Sequence, residues 1–302
     1  MPTDVDAVAP PIEGALDGVR HWVADRVRAG VVGDPDAAVA RRRELFEAAG
    51  PRWFDEDSPI RRVHADSSMF AGGLRALLLQ SLHPLAMAGV AQHSDYRNDP
   101  WGRLQRTADF LAATTYGPVE EAERAVARVR AVHERVVGIA PDGRPYSASD
   151  PHLLRWVHVA EVDSFLAAHD RHGEVPLTAS ERDEYVAQTA VVARALGVPA
   201  PPTSVRALRD QPRAFRPELR GTPEARDAAR YLLVQPPMHP AARPAYGVVA
   251  AASVALLPRW ARAPLRLPWL PVTELVAVRP AGELLTRGLR WAMRQPPAPA
   301  PD

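Results

Sequence analysis

Between residues 83 and 158 this chain gathers side chains whose types could do chemistry: His83, His93, Arg103, Arg106, Thr107, His133 and His158. A neutral imidazole can ligate a metal or move a proton, a guanidinium can hold an anion, and a hydroxyl can bond a bound small molecule. They lie along segments that otherwise read as core helices, and a buried polar group costs free energy unless it is paired or put to use.

Asp99 before Pro100 is a helix start, a capping side chain followed by a residue whose fixed φ suits the first turn. The pattern predicts a helix running to about Thr115. At about 100° per residue, Arg103, Arg106, Thr107, Phe110 and Thr114 share one face. Such a stripe is a solvated surface or the wall of a cavity, and the ring of Phe110 inside it favours the cavity. Further on, Val126, Val129, His133, Val136 and Val137 recur at three- and four-residue intervals, which sets His133 in an apolar stripe. On spacing alone a histidine there is either a core residue or a ligand.

Ser149-Asp150-Pro151 opens another helix, on which Leu154, His158, Glu161 and Phe165 fall near one face. His158 reads either as a core histidine paired with Glu161 across one turn or as a second candidate ligand. His83 precedes Pro84, and the residue before proline is pushed out of the α region, so a break inside the core is predicted. Its ring would bond freed carbonyls, support a cofactor or touch substrate. His93, Asp95 and Arg97 read as a turn cluster, in which Arg97 could also pair with a cofactor carboxylate.

Several of these pieces together resemble the MpaB and latex-clearing-protein family. They are the apolar helix ending in His83-Pro84, Asp95-Tyr96-Arg97, the run from Pro100 to Thr107, Arg130-Ala131-Val132-His133, Trp156-Val157-His158 and Asp163-Ser164-Phe165. The likeness runs from about His64 to near Trp291. It implies an all-α domain around a b-type haem, activation of dioxygen, and oxygen transfer to or cleavage of an apolar unsaturated substrate such as an isoprenoid chain. It also implies His133 as the proximal iron ligand and Arg103, Arg106 and Thr107 along the distal side; Phe110, His158, Arg97 and His83, read from their own positions, are the further candidates for contact with the cofactor. Two departures stand out. Arg106 replaces the lysine of the rubber oxygenases, and no glutamate lies between Asp57 and Val119, where those enzymes are thought to carry a base. Asp66, Asp95 and Asp99 in that interval read as caps or turn residues. A non-catalytic haem or lipid carrier, or a haem peroxidase, would share the same fold.

Composition narrows the chemistry further. The chain has 302 residues, no cysteine and a formal net charge of +1. Without cysteine there are no disulfides, thiolate metal sites, iron–sulfur clusters or covalent c-type haem, so a haem would be held non-covalently. Every fixed side-chain cation is arginine, which rules out a Schiff-base lysine. Near-neutral charge without a basic run interleaved with aromatics gives no reason to expect nucleic acid. No Glu-x-x-His pair supports a di-iron bundle, and no phosphate-loop, dinucleotide or Gly-x-Ser-x-Gly motif appears.

Strand-type alternation is nearly absent, so the expected fold is a single all-α domain over residues 16–294, with tails at 1–15 and 295–302. Gly72-Gly73 reads as a close helix-packing point. The N-terminus lacks a basic region followed by an apolar one, so a cytoplasmic location is expected. The apolar run from Ala245 to Leu257 is shorter than the roughly 20 residues of a spanning helix. Arg259, Arg262 and Arg266 among Trp260, Leu265, Leu267 and Trp269 suggest a surface-lying segment able to touch anionic lipid weakly.

Overall fold

The computed structural model describes residue 45 and residues 47–293. Both expected tails lie outside these residues. The elements are helices α1 (Pro59–Ala65), α2 (Met69–Gln80), α3 (Pro84–His93), α4 (Pro100–Tyr116) and α5 (Val119–Arg135), then a hairpin of β1 (Val137–Ile139) and β2 (Pro145–Ser147). After it come α6 (Pro151–His172), α7 (Ala179–Leu196), α8 (Val205–Phe215), α9 (Pro223–Val234), α10 (Arg243–Leu256) and α11 (Arg279–Met293). The domain is all-α; among the described residues the one sheet is this small antiparallel hairpin, register Gly138 to Tyr146.

The helix starts follow from local chemistry. Asp99 accepts a hydrogen bond from the Gly102 N–H at 2.9 Å, and Asp150 from the His152 N–H at 2.8 Å, each ahead of a proline at the first helical position. Thr178 and Glu181 close a reciprocal capping box at the start of α7. Gly197, at φ +104°, ends that helix in the left-handed conformation that glycine tolerates best.

The long helix α6 is the spine, and α2 packs along it more extensively than any other pair of elements. Gly72 makes this possible: a Cβ there would stand 3.1 Å from Ala168 Cβ and 3.3 Å from Phe165 Cα. Gly73 faces open space, so only the first glycine of the pair serves packing. Trp156 of α6 is buried against Leu78, Leu82, Met87 and Phe215, and its indole N–H donates to the Gln80 carbonyl. A second core joins Ile60, Val159, Phe165, Tyr185 and Leu208.

Arg75 fastens α2 to α6 and α10. Its guanidinium donates to Asp163 Oδ2 and Ser164 Oγ, both at 2.7 Å, and to the Leu256 carbonyl at 2.9 Å. This gives Asp163-Ser164-Phe165 a structural purpose. Arg75→Leu would leave a partly buried carboxylate and a carbonyl unpaired, and the expected cost is about 3 kcal/mol, read as a lower urea midpoint at unchanged slope. A change in unfolding free energy, midpoint shift times slope, under about a tenth of that would overturn the assignment.

The break at Pro84 forms as expected. His83 is extended, and α2 and α3 meet at a 106° bend. No single helix among the described residues is long and apolar enough to cross a membrane; α2 and α3 reach that length and apolarity only together, across this bend. The basic and aromatic segment before α11 is divided: Arg259, Arg266 and Trp269 are exposed as expected of a surface-lying segment, whereas Arg262 and Leu265 turn inward. Arg262 is buried, donating to the Leu257 and Ala255 carbonyls and paired with Glu274, and Leu265 is buried in the core. Carbonyls and a carboxylate satisfied that guanidinium inside the fold, a pairing the local pattern could not reveal.

Candidate functional site

Helices α4 and α5 form an antiparallel hairpin joined by Gly117-Pro118. Counting back from this turn at 1.5 Å per residue, Arg103 and His133 each stand about 20 Å away. They therefore share the hairpin's far end. Near the turn the facing surfaces are closed: Thr114 is buried, and Phe110 packs with Ala113, Ala125 and Leu45. Toward the far end they open. Arg106 and Thr107 are exposed, while Arg103 and His133 are half-buried.

Each of these side chains has a different degree of commitment. Arg106 pairs with Asp99 at 3.1 Å across the exposed first turns, a contact of little stabilising value. Thr107 donates its hydroxyl to the Arg103 carbonyl at 3.1 Å. Arg103 donates to Ser94 Oγ at 3.0 Å and has no carboxylate partner among the described residues. Burial disfavours its charge and lowers its pKa, with Arg106 adding repulsion. A sheltered cation without a counter-ion is expensive unless an anion joins it.

His133 has its pKa lowered by burial alone, which keeps the ring neutral with a free lone pair. No hydrogen bond to its ring is seen among the described residues. His158 and Glu161 lie deeper on α6. Burial pushes His158 down to about 4 and Glu161 up to about 7, and no hydrogen bond joins them. The one-turn pair does not form, and His158 Nε2 is buried without a hydrogen-bond partner among the described residues. Around them the buried His64 ring meets Thr115 Oγ1 at 2.9 Å and packs edge-on against Phe165 and Tyr185, whose buried hydroxyl also lacks a partner.

The other candidates are dispersed. Arg97 pairs with Asp227 and lies over the rings of Tyr96 and Tyr231. His93 meets the Val137 carbonyl, and Asp95 accepts from Asn98, so no single turn cluster unites His93, Asp95 and Arg97. Asp66 pairs with Arg290, a structural role as expected. A groove of about 440 Å³ runs between α5 and α7, lined by Trp53, Val126, Arg130 and Ala195 among others, but not by His133 or Arg103.

A family model for the catalytic domain of the ER-bound oxygenase mpaB/B′ and rubber oxygenase matches residues 61–295. The chain belongs to this family. No curated protein and no solved structure gave a match. The match thus begins within α1 and takes in α2 through α11, with both the hairpin and the spine. An enzyme of the oxygenase type is the function this membership supports.

One cluster was not legible as a unit. His83, expected to bond freed backbone carbonyls, instead meets Glu218 Oε2 at 3.3 Å, and His152 meets both oxygens of the same carboxylate at 3.0 and 2.9 Å. Neither His152 nor Glu218 stood out in the sequence. His152 directly follows the Asp150-Pro151 start, so its position at a helix entrance was readable, but its partners were not.

Proposed function

We propose that the protein is a haem-b-dependent oxygenase acting on an apolar, unsaturated, isoprenoid-like substrate by oxygen transfer or oxidative cleavage of a carbon–carbon double bond. The observation that supports it is at the open end of the α4–α5 hairpin: a neutral, half-buried His133 with no hydrogen bond to its ring and, level with it, a sheltered Arg103 with no carboxylate partner, both among the described residues.

These residues fit the cofactor. His133 offers a ring-nitrogen lone pair to iron, and Arg103 offers guanidinium N–H groups to an anion, whether a haem carboxylate or negative charge developing on the distal side. Haem b, when bound, supplies the activation of dioxygen. Thr107 keeps its oxygen lone pairs as acceptors, and Arg106 can leave its exposed pair with Asp99 at small cost. Phe110, packed with Ala113 and Ala125, offers apolar surface where the hairpin begins to open. His158 is the second candidate ligand, while Arg97 and His83 would serve the cofactor only by giving up Asp227 and Glu218.

Purified protein reconstituted with haem b is expected to show a strong visible haem band and to consume dioxygen in the presence of a polyene, giving carbonyl fragments or oxygenated product by mass spectrometry. Haem binding without oxygen uptake on any of a panel of isoprenoids would favour a carrier. Absence of the band after reconstitution would sink the haem reading.

A further inference from the structure

We propose that His83, His152 and Glu218 form a divalent transition-metal site of the zinc and ferrous-iron class, independent of the haem reading. The donor set carries the proposal. One ring nitrogen of each histidine and a carboxylate oxygen of Glu218 lie within 4.8 Å of one another, and His83 Nε2 and His152 Nε2 stand 3.3 Å and 2.9 Å from the same Oε2. Donors about 2.0–2.1 Å from a tetrahedral ion are separated by a little over 3 Å. Both nitrogen-to-carboxylate contacts already stand near that spacing, and the two histidines offer their nitrogens within 4.8 Å of each other.

Two imidazoles and one carboxylate are the ligands of open zinc sites and of non-haem iron sites, where further positions take water or substrate. The charge suits a dication: Glu218 has its pKa lowered, burial opposing but both histidines holding it down, while His83 is kept neutral by burial. Arg144 is the neighbouring cation, and it is engaged by Asp142 at 2.7 Å.

Positions fixed by the fold make the cluster preorganised. His83 is set by the proline break before α3, with its Nδ1 shut inside the protein, so Nε2 is the atom it presents. His152 is set by the capped start of α6, and Glu218 by the turn after α8, its N–H bonded to the Phe215 carbonyl. The Phe215 ring braces both imidazoles, 4.7 Å from His152 and 6.4 Å from His83 between centroids. One side stays open, since His152 and Glu218 are 51% and 37% exposed. An ion could therefore enter and keep a water-facing position.

Full-length protein stripped with a chelator is the material for the test, with Zn²⁺ and Co²⁺ as probes. Calorimetry is expected to give one Zn²⁺ per chain, Co²⁺ to give visible bands of a low-coordinate nitrogen and oxygen site, and Zn²⁺ to raise the melting temperature. His152→Ala and Glu218→Gln should each weaken binding by at least about 100-fold, beyond what loss of an outer partner costs. His152 is half exposed and its backbone cap does not use the ring, so that variant should keep its circular dichroism. Haem absorbance recorded on the same samples keeps the two sites apart, because metal loss at unchanged haem content touches only this one. No saturable Zn²⁺ binding, or equal affinity in wild type and both variants, would overturn the proposal.

Discussion

Lowering the pH from 7 to about 4.5 should destabilise the protein, and substituting its buried histidines should flatten that response. His64 and His158 are held down to about 4 by burial alone. The unfolded chain takes up protons at these residues from about pH 6.5, whereas the folded protein resists until about pH 4. Their stabilisation is therefore complete above 6.5 and is lost as the pH falls toward 4, together worth roughly 6 kcal/mol. His83, His133, His169 and His172 shift in the same direction.

Glu161 opposes them. Its carboxyl is raised to about 7 by burial, so the folded state retains a proton that the unfolded state releases above about 4.5. Acidification through this window relieves roughly 3 kcal/mol of strain. The net result is a loss of a few kcal/mol, a large share of the roughly 5–15 kcal/mol that domains possess. Urea midpoints at pH 7, 5.5 and 4.5 would show the slope. The His64→Phe, His158→Phe double variant should flatten it, and Glu161→Gln should steepen it. A wild-type midpoint that does not move across this range would sink the account.

What the sequence disclosed about the fold was local. Asp99-Pro100, Asp150-Pro151 and His83-Pro84 could be read because a capping carboxylate and a fixed φ act within one turn, and each sits where the pattern put it. Gly72 was readable as a packing point, but spacing did not distinguish it from Gly73, because only the tertiary approach of Phe165 and Ala168 separates the two. Arg262 was misread for the same reason. Its partners Glu274, Leu257 and Ala255 satisfy a guanidinium in the interior, so basic character alone did not separate Arg262 from its exposed neighbours Arg259 and Arg266.

The candidate site divides along this line too. Residues on one helix face, such as Arg103, Arg106, Thr107 and Phe110, could be grouped by angle, but the angle does not say where the stripe passes from core to solvent. That depends on how far α5 and the loops cover α4. His152 and Glu218 are 66 positions apart, and His83 and Glu218 are 135 apart. No periodicity links them. Only the bend after α2 and the start of α6 bring them to the turn after α8.

Replacing the two groups at the end of the α4–α5 hairpin should separate cofactor retention from oxygen chemistry. His133→Ala removes the proposed lone-pair donor, and the reconstituted protein should lose most of its haem or show a changed iron spectrum. Thr107→Ala should keep haem and reduce turnover, by about tenfold for each 1.4 kcal/mol of transition-state interaction removed. Arg103→Met removes a sheltered cation while keeping an apolar stem. It should lower turnover more than Thr107→Ala, because a charge-assisted hydrogen bond is roughly twice as strong as a neutral one. Arg106→Lys restores the rubber-oxygenase residue at an exposed position and should bind haem fully. Circular dichroism must show each variant folded, since α5 is pinned by Ala122, Ala125 and Val126 rather than by His133. The proximal assignment fails if His133→Ala retains full haem with an unchanged spectrum while His158→Ala loses it, and the buried, unpartnered His158 Nε2 would then be the iron ligand.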